Sequence, residues 1–533
     1  MPSSLTRRKT LALPLATAVA PWAALAAPTT AAAGGELRIA LSYDPSSMDP
    51  HFAATAGNIT VSSHFFDCLV NVDADGQYVA GLATEWHAVD PTTWEIRLRK
   101  GVQFSDGGAF TADDVAFSLG RPATVLNSPG PFTGYTKSIT RIQVVDPLTL
   151  RLKTAEPYGP LPGDLASIFI VSRKAAAKAG SEDFNTGRAM VGTGPYAFGA
   201  YKRGESVTMV RNPRHWGTPP AWEKVAIRFI PADPARVAAL LAGDVDLIEG
   251  VPPSDMPRLK LDAKLRVVQR SSWRTLFLHL NHGAADDAVV FTDKSGSRPL
   301  GRNPIKDARV RQALSLGLNR HALVQTALEG YASPAAQIVA PGISGYDPAL
   351  KPEAYDVAAA KRLLAEAGWP QGFGLVLAVP NNRYVNDDQV GQTIGQLWSR
   401  IGVAVKLQAM PMATYVPKMK AGEFGAALLG WGTLGADFGL RTLLGTPDPA
   451  RGWGTWNWGR YSNPRLDALI QAALGATVPA KRDAQARLAM ALAMSDHAVL
   501  PTHYQFASWA MRKHLTYPGR LDEFTFASQV RAA

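Results

Sequence analysis

The chain has 533 residues, 46% of them hydrophobic and 9% aromatic, and a formal net charge of +11. That length exceeds the roughly 250–300 residues at which a single core stops growing, so at least two lobes are expected, and the apolar content excludes an intrinsically disordered chain. The basic residues are scattered rather than gathered into runs, which speaks against a nucleic-acid groove.

At the N-terminus, Arg7-Arg8-Lys9 precede an apolar, Ala-rich stretch over residues 11–27, and Ala24-Leu25-Ala26 and Ala31-Ala32-Ala33 are small-residue cleavage sites. Residues 1–33 are expected to be a cleaved signal peptide. The apolar stretch is broken by Pro14 and Pro21 and falls short of the ~20 residues a membrane span needs. Thr6-Arg7-Arg8-Lys9-Thr10-Leu11 has the look of a twin-arginine signal. Adjacent arginines also occur in ordinary Sec signals, so both routes stay open. Cys68 is the only cysteine. It permits no intrachain disulfide and lies too far along to carry a lipid anchor, so it reads as a small buried hydrophobe beside Leu69 and Val70.

Residues 36–41 alternate as a first strand, followed by a loop over 42–50 rich in Asp, Pro and Ser. Trp94, Ile96 and Leu98 alternate with Glu95, Arg97 and Arg99 as a half-buried strand. Lys100-Gly101 and Asp106-Gly107-Gly108 supply turns. Thr111 then caps a helix, with Asp114 completing a short capping box ahead of Val115, Phe117 and Leu119. Further on, a strand at 225–230, a helix at 234–242 closed by Gly243 and a strand at 245–248 predict a parallel pairing. In the second half, Asp356 caps a helix to Ala367 that ends at Gly368. Asp387 or Asp388 opens another to Arg400, with Val390, Ile394, Leu397 and Trp398 on one face. A strand at 403–409, a helix at 414–420 and a strand at 424–429 follow. Two α/β regions with no linker between them imply lobes joined by crossing strands.

Catalytic signatures are missing: the chain has no GxSxG, no P-loop lysine motif, no HExxH and no paired CxxC. His279 and His282 are the only close histidine pair, and they read as hydrogen-bonded residues rather than metal ligands. Gly430-Trp431-Gly432-Thr433-Leu434-Gly435 matches GxGxxG. A bulky Trp between the first glycines, Asp437 close behind and no clear amphipathic helix at the third glycine argue against a dinucleotide site. A Gly-rich loop at the carboxyl end of a strand remains a good place for another ligand. Trp431, Trp453, Trp456, Trp458 and Tyr461 make this region unusually aromatic, and the last four are spaced as loop residues. They pack a loop-rich hinge or wall a ligand cleft, the latter most plausibly for Trp431.

The stretch from Leu82 to Gly120, with Gly192-Thr193-Gly194-Pro195-Tyr196, Arg211-Asn212-Pro213-Arg214-His215-Trp216, the segment from Pro304 to Leu314, Asn319-Arg320 and the segment from Tyr355 to Trp369, resembles extracellular solute-binding proteins of family 5. His215 stands where that family usually has Tyr, and Asn319 where it has Asp. These proteins are the peptide- and nickel-binding receptors of ABC importers. The resemblance implies an α/β, two-lobed periplasmic-binding-protein fold of type II, in its three-domain peptide-binding variant, with mixed sheets flanked by helices. It places a discontinuous domain I at 35–78, 190–277 and 500–533, domain II at 79–189 and domain III at 278–499. The lobes close over the ligand by hinge motion.

What the resemblance implies for function is capture of short peptides in the interlobe cleft and delivery to an ABC permease complex in the inner membrane. The protein is expected to be an exported periplasmic monomer, not a lipoprotein and not an enzyme, without cofactor, metal or nucleic acid. Nickel chelates, glutathione, haem or opine-like compounds are alternative cargos, and a chaperone, signalling receptor or hydrolase is the alternative of another class. Asp437 matches the acidic residue that holds a peptide α-ammonium, although the loop reads Gly-Ala-Asp-Phe-Gly where dipeptide-binding members read GDxxDP. Trp431, Gly432 and Thr433 accompany it in the loop. Arg383 is a candidate for the terminal carboxylate, or else a surface partner of Asp387 or Asp388. Met48 and Asp49, beside Ser47, lie where the first strand delivers the chain to the cleft.

Overall fold

The computed structural model describes residues 35–533; the expected signal peptide lies outside the described residues. The first strand, β1 (Glu36–Leu41), buries Leu37, Ile39 and Leu41. An insert follows with four antiparallel strands, β2 (Ala83–Asp90), β3 (Thr93–Leu98), β4 (Ile139–Asp146) and β5 (Thr149–Thr154), paired in the order β2–β3–β5–β4. The alternation predicted for β3 holds: Trp94, Ile96 and Leu98 are buried and Arg97 is exposed. Between β3 and β4 lies α1 (Ala112–Gly120). The Asp114 carboxylate accepts from the Thr111 backbone N–H at 3.0 Å and from its hydroxyl at 3.2 Å, so the capping box forms as read. A one-turn helix, α2 (Leu161–Leu165), comes after β5.

The chain then rejoins the sheet of β1 through β6 (Tyr196–Lys202), β7 (Ser206–Arg211) and β8 (Lys224–Phe229). Helix α3 (Asp233–Ala242) ends at Gly243, whose φ of 90° is a left-handed cap that favours glycine, and leads to β9 (Leu247–Glu249). β8 and β9 flank β1 on either side, both parallel to it, as the strand–helix–strand order requires.

The long strand β10 (Leu265–Leu280) leaves this half. The second half carries α4 (Val357–Glu366), β11 (Phe373–Pro380), α5 (Asp387–Ser399), β12 (Val403–Met410), α6 (Met412–Lys420), β13 (Ala426–Trp431), α7 (Ala436–Leu443), α8 (Pro464–Gly475) and α9 (Pro479–Ser495). Asp356 caps α4 through the Ala359 N–H at 2.8 Å, and Val390, Ile394, Leu397 and Trp398 form the buried face of α5. The chain returns by β14 (Val499–Arg512), antiparallel to β10 from Leu265 opposite Arg512 to His279 opposite Val499. At one end β10 pairs with β13, and at the other β14 pairs with β9, so one mixed 12-stranded sheet runs through both lobes. These two strands are the crossing connection. Separate apolar clusters fill the two halves, and a further one joins the insert to the second half.

Candidate functional site

β13 ends at Trp431, and residues 432–435 turn the chain into α7. A helix therefore does follow the third glycine of the GxGxxG match, contrary to the sequence reading. Its short length of 8 residues and the mix of Gly, Asp and Arg within it hide the apolar face formed by Leu440 and Leu443. Asp437 in its first turn opposes anion binding there and complements the helix dipole instead. Gly432 is required by a close approach: a Cβ there would come within 2.5 Å of the Trp273 indole nitrogen. The Thr433 hydroxyl donates to the Gly435 carbonyl at 3.0 Å and fixes the turn.

This loop forms one wall of a cavity of about 420 Å³ between the insert, the crossing strand β10, the C-terminal segment and the second half. Gly432, Thr433 and Asp437 line it from the second half, Tyr78, Tyr135 and Asp164 from the other side, and Trp273, Arg520 and Asp522 from the strands and tail. Asp437 is 7% exposed; one carboxylate oxygen accepts from the Phe438 N–H at 2.8 Å and the other lies 3.5 Å from Arg482 Nε. Three buried polar atoms of lining residues have no hydrogen-bond partner: Trp273 Nε1, Arg520 Nη1 and Gln529 Oε1. All three are packed against protein: Trp273 Nε1 abuts Gly432, and the Arg520 guanidinium lies 4.3 Å from the Phe526 ring.

Trp431 stands just behind the wall. Its ring stacks on Phe438 at 6.2 Å and meets Trp456 edge-on at 5.4 Å, and Phe438 in turn stacks on Tyr135 of the insert at 5.9 Å. Phe438 and Tyr135 line the cavity and Trp431 does not. Trp453, Trp458 and Tyr461 are buried in the core that joins the insert to the second half, which favours packing over the cleft for these three.

Arg383 also lies outside this cavity. It makes no side-chain ion pair with Asp387 or Asp388 among the described residues; its backbone N–H donates to Asp387 instead, at 3.0 Å. The guanidinium sits 5.4 Å from the Tyr384 ring, and though it keeps solvent contact, protein crowds it. That loss of water, with the positive charge of Arg274 nearby, lowers its pKa. Met48 is a core residue whose N–H donates to Asn185 at 2.8 Å. Asp49 is fully buried, held by Arg121 at 2.6 and 2.7 Å and by Ser181 at 2.8 Å. Burial pushes its carboxyl up, but the Arg121 fork more than offsets this and leaves it below the usual range. Neither residue lines the cavity, because the loop after β1 folds back onto the insert side. His279 and His282 are held neutral by burial, at about 3 and about 4; His282 is half-buried with Nε2 3.3 Å from the Ala498 carbonyl, whereas His279 lies in the core with Nε2 unpartnered, contrary to the hydrogen-bonded reading.

Asp164, Tyr78, Trp273 and Arg520 are among the cavity residues that sequence reasoning missed. None sits in a motif, and their convergence is a product of long-range contacts alone.

The chain matches the model of the bacterial extracellular solute-binding proteins, family 5 middle region, over residues 77–446. It is 27% identical to the glutathione-binding protein GsiB of Salmonella paratyphi A over 496 residues, covering 90% of each chain. It is 27% identical to the dipeptide-binding protein of Escherichia coli over 383 residues, covering 67% of this chain and 68% of the relative. Its fold superposes on DppA from Helicobacter pylori in complex with the peptide STSA with a TM-score of 0.76 and 24% identity, over 94% of this chain and 98% of that one. Members of this family bind small solutes outside the cytoplasm and work with an ABC permease; no helix among the described residues is long and apolar enough to cross a membrane. With the two-lobed sheet, the interlobe cavity and a family match spanning most of its length, the chain belongs to the family 5 extracellular solute-binding proteins and is the substrate-binding component of an ABC importer.

Proposed function

We propose that the protein captures short peptides in this cavity and delivers them to its permease. The carrying observation is the Asp437 carboxylate, buried at 7% exposure on the cavity wall. A buried carboxylate suits the α-ammonium of a peptide, because an ammonium in a closed cleft without such a partner is strongly disfavoured. Trp273 and Arg520 stand on the same wall. Gly432 and Thr433 shape the same wall, while Arg383, Met48 and Asp49 act outside it. The hinged bodies are 35–78 with 190–277 and 500–533, the insert 79–189, and 278–499. Export to the periplasm with removal of residues 1–33, action as a monomer and the absence of catalysis belong to the same proposal.

Glutathione is a second reading, favoured by the GsiB relatives that cover 90% of the chain; it is itself a peptide with a free ammonium. Native mass spectrometry of protein from the periplasm, followed by denaturation and identification of the released molecule, separates the readings. A mixture of short peptides supports the first, glutathione alone the second, and a metal complex or non-peptide compound overturns both.

A further inference from the structure

Asp437 is not the only carboxylate on the cavity wall. Helix α2 brings Asp164 from the insert to the opposite side, 3% exposed. One of its oxygens accepts the Tyr158 hydroxyl at 2.7 Å, and the other has no protein donor among the described residues. Tyr158 accepts from Arg441 Nη1 at 3.1 Å. Arg441 lies one turn beyond Asp437 on α7, so the helical repeat turns both residues toward the insert. Each carboxylate therefore has an arginine behind it, Arg482 for Asp437 and Arg441 through Tyr158 for Asp164. Tyr78 and Tyr135 complete the titratable groups around Asp164 from the insert side. The Tyr78 hydroxyl lies so close to Gly163 that a Cβ there would approach it to 2.5 Å.

Arg520 stands on the same wall. It is 1% exposed, its Nε and Nη2 are taken by Asp522 and by the Val72 and Asp73 carbonyls, and its Nη1 has no partner on the wall of this same cavity.

We propose that Asp164 is a second partner of the cargo's cationic group, which sits between carboxylates supplied from opposite sides of the cleft, Asp437 on α7 and Asp164 on α2. This rests on reading the cavity as the cargo site. Such a site selects ligands with a free ammonium and links recognition to docking of the insert, since the two acids line one cavity with the insert docked on the second half. Burial pushes the Asp164 carboxyl up to about 7, with the Asp437 charge adding to that, while Arg441 and Tyr158 pull it down. A cation between the two acids lowers it again. Binding then releases a proton below about pH 7, and affinity rises as pH increases through that value until the ligand's own ammonium begins to lose its proton, at about pH 8 for a peptide α-amino group.

The test is calorimetry of the full chain, wild type and Asp164→Asn, with glycyl-glycine, alanyl-alanine, glutathione, arginine and putrescine at pH 6 and pH 8. N-acetylated forms of the probes that bind are measured in parallel. The expected result is a loss of about tenfold in Asp164→Asn and on N-acetylation, with tighter binding at pH 8 than at pH 6 in the wild type only. Unchanged affinity in a folded Asp164→Asn overturns the proposal and leaves the cargo-site reading standing. If the variant does not fold, equal wild-type affinity for the free and N-acetylated probes, or for the same probe at both pH values, overturns it. Binding of no amine by the wild type removes the cationic cargo class and the proposal with it.

Discussion

Asp437 is held by one backbone N–H and a loose contact to Arg482, so much of its hydrogen-bonding capacity is free for a ligand. Asp437→Ala is expected to weaken peptide binding by at least ~2 kcal/mol, because the ligand ammonium would lose its buried partner. Titration calorimetry with the released cargo checks this, and unchanged affinity removes Asp437 from the site. Asp49 is the contrasting case. All its acceptors are taken by Arg121, Ser181 and the His51 N–H, which makes it a structural anchor of the loop after β1. Both residues are aspartates in loop-like sequence, and only the set of donors around each distinguishes them.

At the scale of elements, capping and turn chemistry were legible because they are local. The Thr111 and Asp114 pair works as its spacing implies, and Asp114 also accepts from the Arg173 N–H at 2.9 Å, a tie no spacing reveals. Asp114→Ala is expected to destabilise the fold by about 1–2 kcal/mol, read as a lower urea midpoint with an unchanged slope. Helix α7 was missed for the converse reason: its Gly and Asp are poor helix formers, and burial of Leu440 and Leu443 overrides them.

Across the whole molecule, the insert docks on the second half through a few direct ties. The Gly159 N–H donates to the Leu474 carbonyl at 2.7 Å and its carbonyl accepts from Arg482 at 2.7 Å. A Cβ at Gly159 would come within 2.0 Å of the Ala476 carbonyl oxygen. Gly159→Ala is expected to keep the lobes apart, so that X-ray scattering of the cargo-loaded protein gives a larger radius of gyration than the wild type. Cargo is also expected to raise the melting temperature in step with the logarithm of its concentration. Acid acts on the molecule as a whole. Burial holds His51, His64 and His282 at about 4 and His279 and His503 at about 3, all lowered from 6.5. The unfolded chain therefore binds more protons than the folded one from about pH 6.5 down to those values. Stability is full above about pH 6.5 and falls below it, at up to ~1.4 kcal/mol per pH unit for each such histidine. Melts between pH 7 and pH 4 measure this, and a flat profile would show that these imidazoles take up protons in the folded protein as readily as in the unfolded chain.

The sequence by itself determined the two-lobed α/β class, the family and the positions of many helices and strands, because periodicity, caps and glycine stops act over a few residues. The family resemblance pointed to Asp437, which stands on the cavity wall. Tertiary structure alone decided which side chains meet in the cavity. Asp164, Trp273, Asp437 and Arg520 come from four separate parts of the chain, and no local pattern encodes their convergence. The same holds for Arg383, Met48 and Asp49, whose placement outside the cavity depends on how the loops fold back over β1 and α5 rather than on the residues beside them.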